Sequence, residues 1–226
     1  MNQGNGIFTE SAEQAGLALT DASGMAAFAD YDRDGWLDVL VQTNLFNAST
    51  APRGQPDRLY RNRGGASFEE VTVQSGITGE TQGHSATWWD YDEDGWPDLY
   101  VANDFSMPDQ LWHNRGDGTV ENRLETVVPH TPFSAMGADL GDINNDGRMD
   151  FLVADMAAPT PVKDQRGMAD SRAKVDSAVD FETTPQYIRN ALYLNTGTGR
   201  MAEVAMLRRL DCDRLDMGAA LGRFGQ

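Results

Sequence analysis

Cysteine occurs once in the 226 residues, at Cys212, which excludes an internal disulfide framework and any cysteine-based zinc site. Histidine is nearly as scarce, and His84, His113 and His130 share no spacing typical of a zinc centre. Basic side chains are few, with 18 Lys and Arg against 35 Asp and Glu, for a formal charge of −17. Nucleic acid is therefore a poor partner, because phosphate contacts need clustered Lys and Arg. No run approaches the roughly 20 consecutive apolar residues of a membrane span, so membrane insertion is not expected. The opening residues, Met1 to Gly6, carry neither the basic start nor the apolar stretch of an export signal, and no signal peptide is expected in this chain. A Gly-Xaa-Ser-Xaa-Gly nucleophile motif is missing too. Gly64, Gly65, Gly116 and Gly118 read as turns between strands rather than as phosphate cradles, since no helix is expected after them.

What the chain does have is a 40% apolar content, enough to supply a core, and carboxylates in a repeating order. Three segments place oxygen-bearing side chains at loop positions one, three, five and nine, with glycine at six. The first holds Asp30, Asp32, Asp34, Gly35 and Asp38; the second Asp90, Asp92, Asp94, Gly95 and Asp98; the third Asp142, Asn144, Asp146, Gly147 and Asp150. Each runs into an apolar stretch (Val39 to Val41, Leu99 to Val101, Phe151 to Val153) that predicts a strand buried on both faces. Small residues such as Ala26, Ala86 and Ala138 precede each loop and suit a crowded strand near the axis of a propeller.

A second element recurs between the loops: Leu59-Tyr60-Arg61-Asn62, Leu111-Trp112-His113-Asn114 and Leu192-Tyr193-Leu194-Asn195. From its Asn to the next loop's first Asp is always 28 positions, namely 2 to 30, 62 to 90 and 114 to 142. Repeats of roughly 40–50 residues with about four strands each predict β-propeller blades. The predicted class is all-β, a partial propeller of about three four-stranded antiparallel blades. Residues 1–20 read as the trailing part of a preceding blade, 21–79, 80–131 and 132–206 as the three loop-bearing blades, with a long insertion at 156–186. Residues 207–226 read as an incomplete or frame-shifted start of a further blade. The fixed offset from Asn195 would put a first-position Asp at 223, where Arg223 stands.

Carboxylates at alternate positions let a tight loop aim its oxygens at one centre, and glycine at six permits the turn. The backbone carbonyl at position seven, from Trp36, Trp96 or Arg148, is expected to add a ligand. Oxygen donors without Cys or His in the loop select calcium over zinc or copper. An EF-hand would need a Glu at position twelve, and Val41, Val101 or Val153 stands there instead. Four crowded carboxylates repel one another, so an ion is the physically sensible occupant. About three calcium ions per chain are expected. His113, in the place of Arg61 and Leu194, reads as a variable surface residue, His84 as a packed strand residue, and the five tryptophans as core.

On these loop and Leu-Tyr-Xaa-Asn motifs the chain resembles FG-GAP and VCBS-type repeats, as in integrin α-subunit propellers and bacterial proteins similar to cartilage acidic protein. The resemblance covers residues 1 to about 206. It implies calcium at blade loops, an extracellular, periplasmic or cell-surface setting, and a role in adhesion or recognition of a protein or glycan. The chain is then expected to be a fragment of a larger protein, and its open propeller edges to self-associate. The alternative is the propeller portion of a polysaccharide lyase, for which Lys163, Arg166, Arg172, Lys174 and Tyr187 are the candidates.

Overall fold

The structure, a computed structural model, describes residues 1–20, 22–44, 56–79, 81–104, 107–156 and 184–208. Most of the expected insertion and nearly all of the expected frame-shifted tail lie outside these residues, as do Lys163, Arg166, Arg172 and Lys174.

Three four-stranded antiparallel sheets follow one another along the chain, each in plain sequential order apart from a long connection within the third. The first contains β1 (Ser23–Ala29), β2 (Asp38–Thr43), β3 (Arg58–Asn62) and β4 (Phe68–Glu70). The second contains β5 (Gly83–Trp89), β6 (Asp98–Asn103), β7 (Gln110–Asn114) and β8 (Val120–Asn122). A two-residue strand, β9 (Thr131–Pro132), precedes the third sheet and pairs in parallel with β12 (Gln186–Tyr187). The third sheet itself contains β10 (Ala135–Gly141), β11 (Asp150–Asp155), β13 (Ala191–Asn195) and β14 (Met201–Glu203). Short helical turns close the repeats: α1 (Ala12–Ala15), α2 (Thr72–Ser75), α3 (Leu124–Val127) and α4 (Ala205–Arg208).

Register repeats as closely as sequence does. Phe28 faces Val39, Trp88 faces Leu99, and Leu140 faces Phe151 across the first strand pair of each sheet. A bulge falls at the same place in all three, between Ser23 and Met25, Gly83 and Ser85, and Ala135 and Gly137. Such a bulge bends the innermost strand and increases its twist. β5 packs between β1 and β10, so the small-residue strands lie innermost. The strand after each loop is the buried one: β2 and β6 are buried at every position.

The core lies between sheets rather than within one. Leu40, Leu59, Leu99, Val101 and Trp112 fill the space between the first and second sheets. Trp89, Tyr100, Phe151 and Tyr193 fill the next, where the Phe151 and Tyr193 rings stack at 4.4 Å. Each fully buried leucine or valine there is worth about 1.5–3 kcal/mol. This face-to-face stacking of four-stranded sheets is a partial β-propeller. Among the described residues the sheets do not close into a ring, and the three blades there fall short of the four to eight at which propellers close. No helix among the described residues is long and apolar enough to cross a membrane.

Candidate metal centres

Each Asp-rich loop connects the first two strands of its sheet, β1 to β2, β5 to β6 and β10 to β11. The backbone takes the same course in all three. Position six is Gly35, Gly95 or Gly147, with φ of 90°, 93° and 88°, a region that costs glycine nothing. Position four also lies in the left-handed region, at Arg33 (58°), Glu93 (61°) and Asn145 (60°). Non-glycine residues go there at some cost, and three do so in register. Hydrogen bonds over-determine the turn. The first-position carboxylate accepts from the glycine N–H: Gly35 to Asp30 at 3.0 Å, Gly95 to Asp90 at 2.8 Å, Gly147 to Asp142 at 2.9 Å. The fifth accepts from the seventh: Trp36 to Asp34 at 3.0 Å, Trp96 to Asp94 at 2.9 Å, Arg148 to Asp146 at 2.9 Å.

The ninth-position aspartate is buried at the start of the second strand and ties its own loop to the third strand. Asp38 accepts from the N–H of Tyr31 (3.1 Å) and Asn62 (2.7 Å), Asp98 from Tyr91 (3.1 Å) and Asn114 (2.8 Å), Asp150 from Ile143 (2.9 Å) and Asn195 (2.7 Å). The Asn of the recurring Leu-Tyr-Xaa-Asn element thus docks on the loop of its own blade. Its side chain also reaches the loop before: Asn114 Nδ2 donates to the Tyr31 carbonyl and Asn195 Nδ2 to the Tyr91 carbonyl, both at 2.8 Å. Sequence reading found this Asn by its spacing and missed that it latches one blade to the next.

In the first loop the side chains at positions one, three and nine gather, and in the second those at one, three and five. Ligand-type oxygens of Asp30, Asp32 and Asp38 lie within 4.8 Å of one another, as do those of Asp90, Asp92 and Asp94. Asp30 Oδ1 and Asp92 Oδ1 are buried without a hydrogen-bond partner. Burial is the largest cause, with neighbouring carboxylates adding to it, and Asp38 is pushed up to about 6, Asp98 up to about 8, and Asp32, Asp92 and Asp150 are raised. Desolvated, crowded carboxylates with orphaned oxygens are the donor set that a hard divalent cation satisfies, so the residues fit calcium. In the third loop Asn144 replaces the third carboxylate and donates to Asp146 Oδ2 at 3.0 Å.

Position seven has a second role. The ring of Trp36 or Trp96 and the guanidinium of Arg148 lie over the turn that follows β3, β7 or β13, so closely that a Cβ at Gly65, Gly116 or Gly197 would come within 2.7 Å, 2.6 Å and 2.7 Å of them. That turn needs glycine for space. Trp36 is consequently 48% exposed, a correction to its expected place in the core, whereas Trp89 and Trp112 are core residues.

His113 is the other correction. It is 7% exposed rather than a surface residue, because β7 turns it inward toward the second loop. Its Nδ1 lies 3.2 Å from Asp98 Oδ1 and 3.4 Å from Asp92 Oδ2. Arg61 does the same in the first blade, with Nε 2.5 Å from Asp32 Oδ2 and a terminal nitrogen 3.8 Å from Asp34. The available signal was a basic side chain at one repeat position, directly before the Asn, in both repeats whose third loop position is an aspartate. His84 is half-buried, 3.4 Å from Asp104. Asp57, outside the loops, is buried and accepts from Thr43 N–H at 3.0 Å and Thr81 Oγ1 at 2.7 Å.

Three in-register blades of this pattern define a class, and the comparison with known families agrees. The FG-GAP-like repeat matches residues 1–41, 45–101 and 90–153, and the chain belongs to that family. It is also similar to cartilage acidic protein 1 of Mus musculus, 31% identical over 111 residues, and to that of Homo sapiens, 30% identical over 111 residues. Each match covers 47% of this chain and 16% of the relative, so the aligned stretch spans about one sixth of those proteins.

Proposed function

We propose that this chain is a calcium-stabilised recognition scaffold, a non-catalytic portion of a longer extracellular or cell-surface repeat protein. The carrying observation is the gathering of carboxylates in loops of one shared geometry, with Asp30 Oδ1 and Asp92 Oδ1 buried and unsatisfied. Asp30, Asp32, Asp34 and Asp38, their counterparts in the second loop, and Asp142, Asn144, Asp146 and Asp150 would hold the ions. Carbonyls at Trp36, Trp96 and Arg148 would add to each set. Bound calcium would neutralise the loops and hold the blade faces in place for a protein or glycan ligand. The extracellular setting rests on membership of the FG-GAP-like repeat family and on the likeness to cartilage acidic protein 1.

Phe28, at the outer face of the first blade, is 57% exposed, whereas its counterpart Trp88 is half-buried and donates to the Ala27 carbonyl at 3.4 Å. An uncovered blade face of this kind favours pairing with a further blade or a second copy of the chain.

Extracellular calcium modules bind with dissociation constants on the order of 10⁻⁴–10⁻³ M. Calcium at a hundredfold excess over such a constant stabilises the native state by about 2.7 kcal/mol per site. The expected result is a melting temperature that rises with calcium and falls in chelator, with Asp34→Ala losing one site by calorimetry. An unmoved melting curve together with no heat of binding overturns the reading.

A further inference from the structure

The oxygen donors of the three loops are alike, but the side chain facing them from the neighbouring strand is not. In the second blade it is an imidazole. His113 is carried on β7, next to Asn114, whose N–H bonds Asp98 Oδ1 at 2.8 Å and so fixes the strand against the loop. The edge of the imidazole meets the Tyr91 ring at 6.0 Å, in a T-shaped contact that holds its plane. Nδ1 is buried without a hydrogen-bond partner and aimed at two carboxylates. On the facing Asp92 carboxylate, Oδ1 is likewise buried without a hydrogen-bond partner.

We infer that His113, Asp92 and Asp98 form a mixed nitrogen–oxygen site for a first-row transition cation such as zinc, set within the second loop. The ligand atoms of the three residues lie within 4.8 Å of one another. The 3.2 Å and 3.4 Å separations from Nδ1 match the edge, about 3.3 Å, of a tetrahedron of donors each about 2.0 Å from a metal. Asp90 and Asp94 gather with Asp92 and can complete the set. Calcium prefers an all-oxygen shell, while imidazole suits zinc, copper, iron and nickel. One buried nitrogen donor therefore divides the loops by metal: the second takes a transition cation where the third, facing Leu194, has oxygen donors alone. This assignment rests on reading the loops as cation sites and specifies which cation the second one takes.

The test is equilibrium dialysis of the whole chain against micromolar zinc in millimolar calcium, with both metals counted per chain. His113→Leu is the matched variant, because Leu194 occupies the same repeat position in the third blade; circular dichroism checks its fold. Asp92→Asn serves as a second variant that keeps the imidazole. The expected result is about one zinc retained by the wild type and none by His113→Leu, a loss of about 100-fold or more in affinity, with calcium at the third loop unchanged. Equal zinc on wild type and His113→Leu places the metal elsewhere, as at His84 or His130, and overturns the assignment. Retention of calcium but no zinc also overturns it, leaving His113 as a packed neighbour of Asp92, while the calcium reading stands. Binding of neither metal sinks both.

Discussion

The first and third loops share a backbone and differ in two facing side chains. In the first, the third position is Asp32 and Arg61 meets it at 2.5 Å. In the third, that position is Asn144, and Leu194 stands where Arg61 would, packed against an apolar cluster with Ile143, Leu152 and Leu192. Charge at position three is balanced from the neighbouring strand when it is present and left alone when it is not. In the second loop that strand position carries the imidazole of His113, 3.4 Å from Asp92 Oδ2. The frame of the loop therefore comes from glycine and the clamped aspartate, and its charge is adjusted separately. A loop rich in carboxylates is not thereby the strongest cation site, since Arg61 already neutralises part of the first. Arg148 lies 3.5 Å from Asp146 Oδ2 on the third loop, at the partly exposed rim rather than on the inner strand.

Removing the shared frame should have the largest effect. Asp150→Ala leaves the buried N–H groups of Ile143 and Asn195 unpaired, at roughly 1–3 kcal/mol each, and Asp38→Ala does the same to Tyr31 and Asn62. Both variants should lose a similar, large amount of stability in urea titrations run in chelator. A loss confined to one would mean that the loops do not share their support.

A milder test exchanges the facing residues. Arg61→Leu should tighten calcium at the first loop by about tenfold or more, about 1.4 kcal/mol, because a fixed positive charge no longer competes with the ion. Leu194→Arg should weaken the third loop by a similar factor. Calorimetry of both variants checks this, and unchanged affinities would remove Arg61 as the source of the difference.

The smallest expected effect is that of pH, which also reaches a carboxyl away from the loops. Asp109 is pushed up to about 8 by burial beside Tyr100, and Asp98 also stands at about 8. A raised carboxyl pKa means that the native state holds a proton the unfolded chain has lost. Stability is then full below about pH 4 and falls as pH rises toward 8, by on the order of 1 kcal/mol per unit for each such group. In chelator both groups should contribute to the decline between pH 6 and 8. A cation bound at Asp98 should leave the Asp109 part alone, and Asp109→Asn should flatten that part. Thermal melts across this range measure it; a slope unaffected by Asp109→Asn would contradict the assignment.

Much of this molecule was legible in its sequence because the repeat states its own period. The 28-residue offset, the double-sided apolar runs after each loop and the small residues before it led to three four-stranded sheets stacked face to face. The helical turns such as Thr72–Ser75 were not legible, because four residues carry no periodicity. The loop residues were found by spacing, since side-chain period and glycine act locally. His113 and Arg61 were missed because their relation to the loops runs across strands, from β7 to β6 and β3 to β2, and no local rule predicts which face of a strand looks into a neighbouring turn. Trp36 was misplaced for the complementary reason. Its role is to cover the turn glycine Gly65, a contact set by the hairpin of another strand.

The latch from Asn114 to the Tyr31 carbonyl, and from Asn195 to the Tyr91 carbonyl, fixes what can be cut from such an array. A loop belongs to one blade and its lid to the next, so the smallest portable piece is not a blade. For the first loop it runs from about Ser23 through Asn114, from β1 through β7. Anyone grafting a single blade, or shuffling blades between proteins, would sever a carbonyl from its cover at every junction. The natural module boundary falls half a repeat away from the sheet boundary.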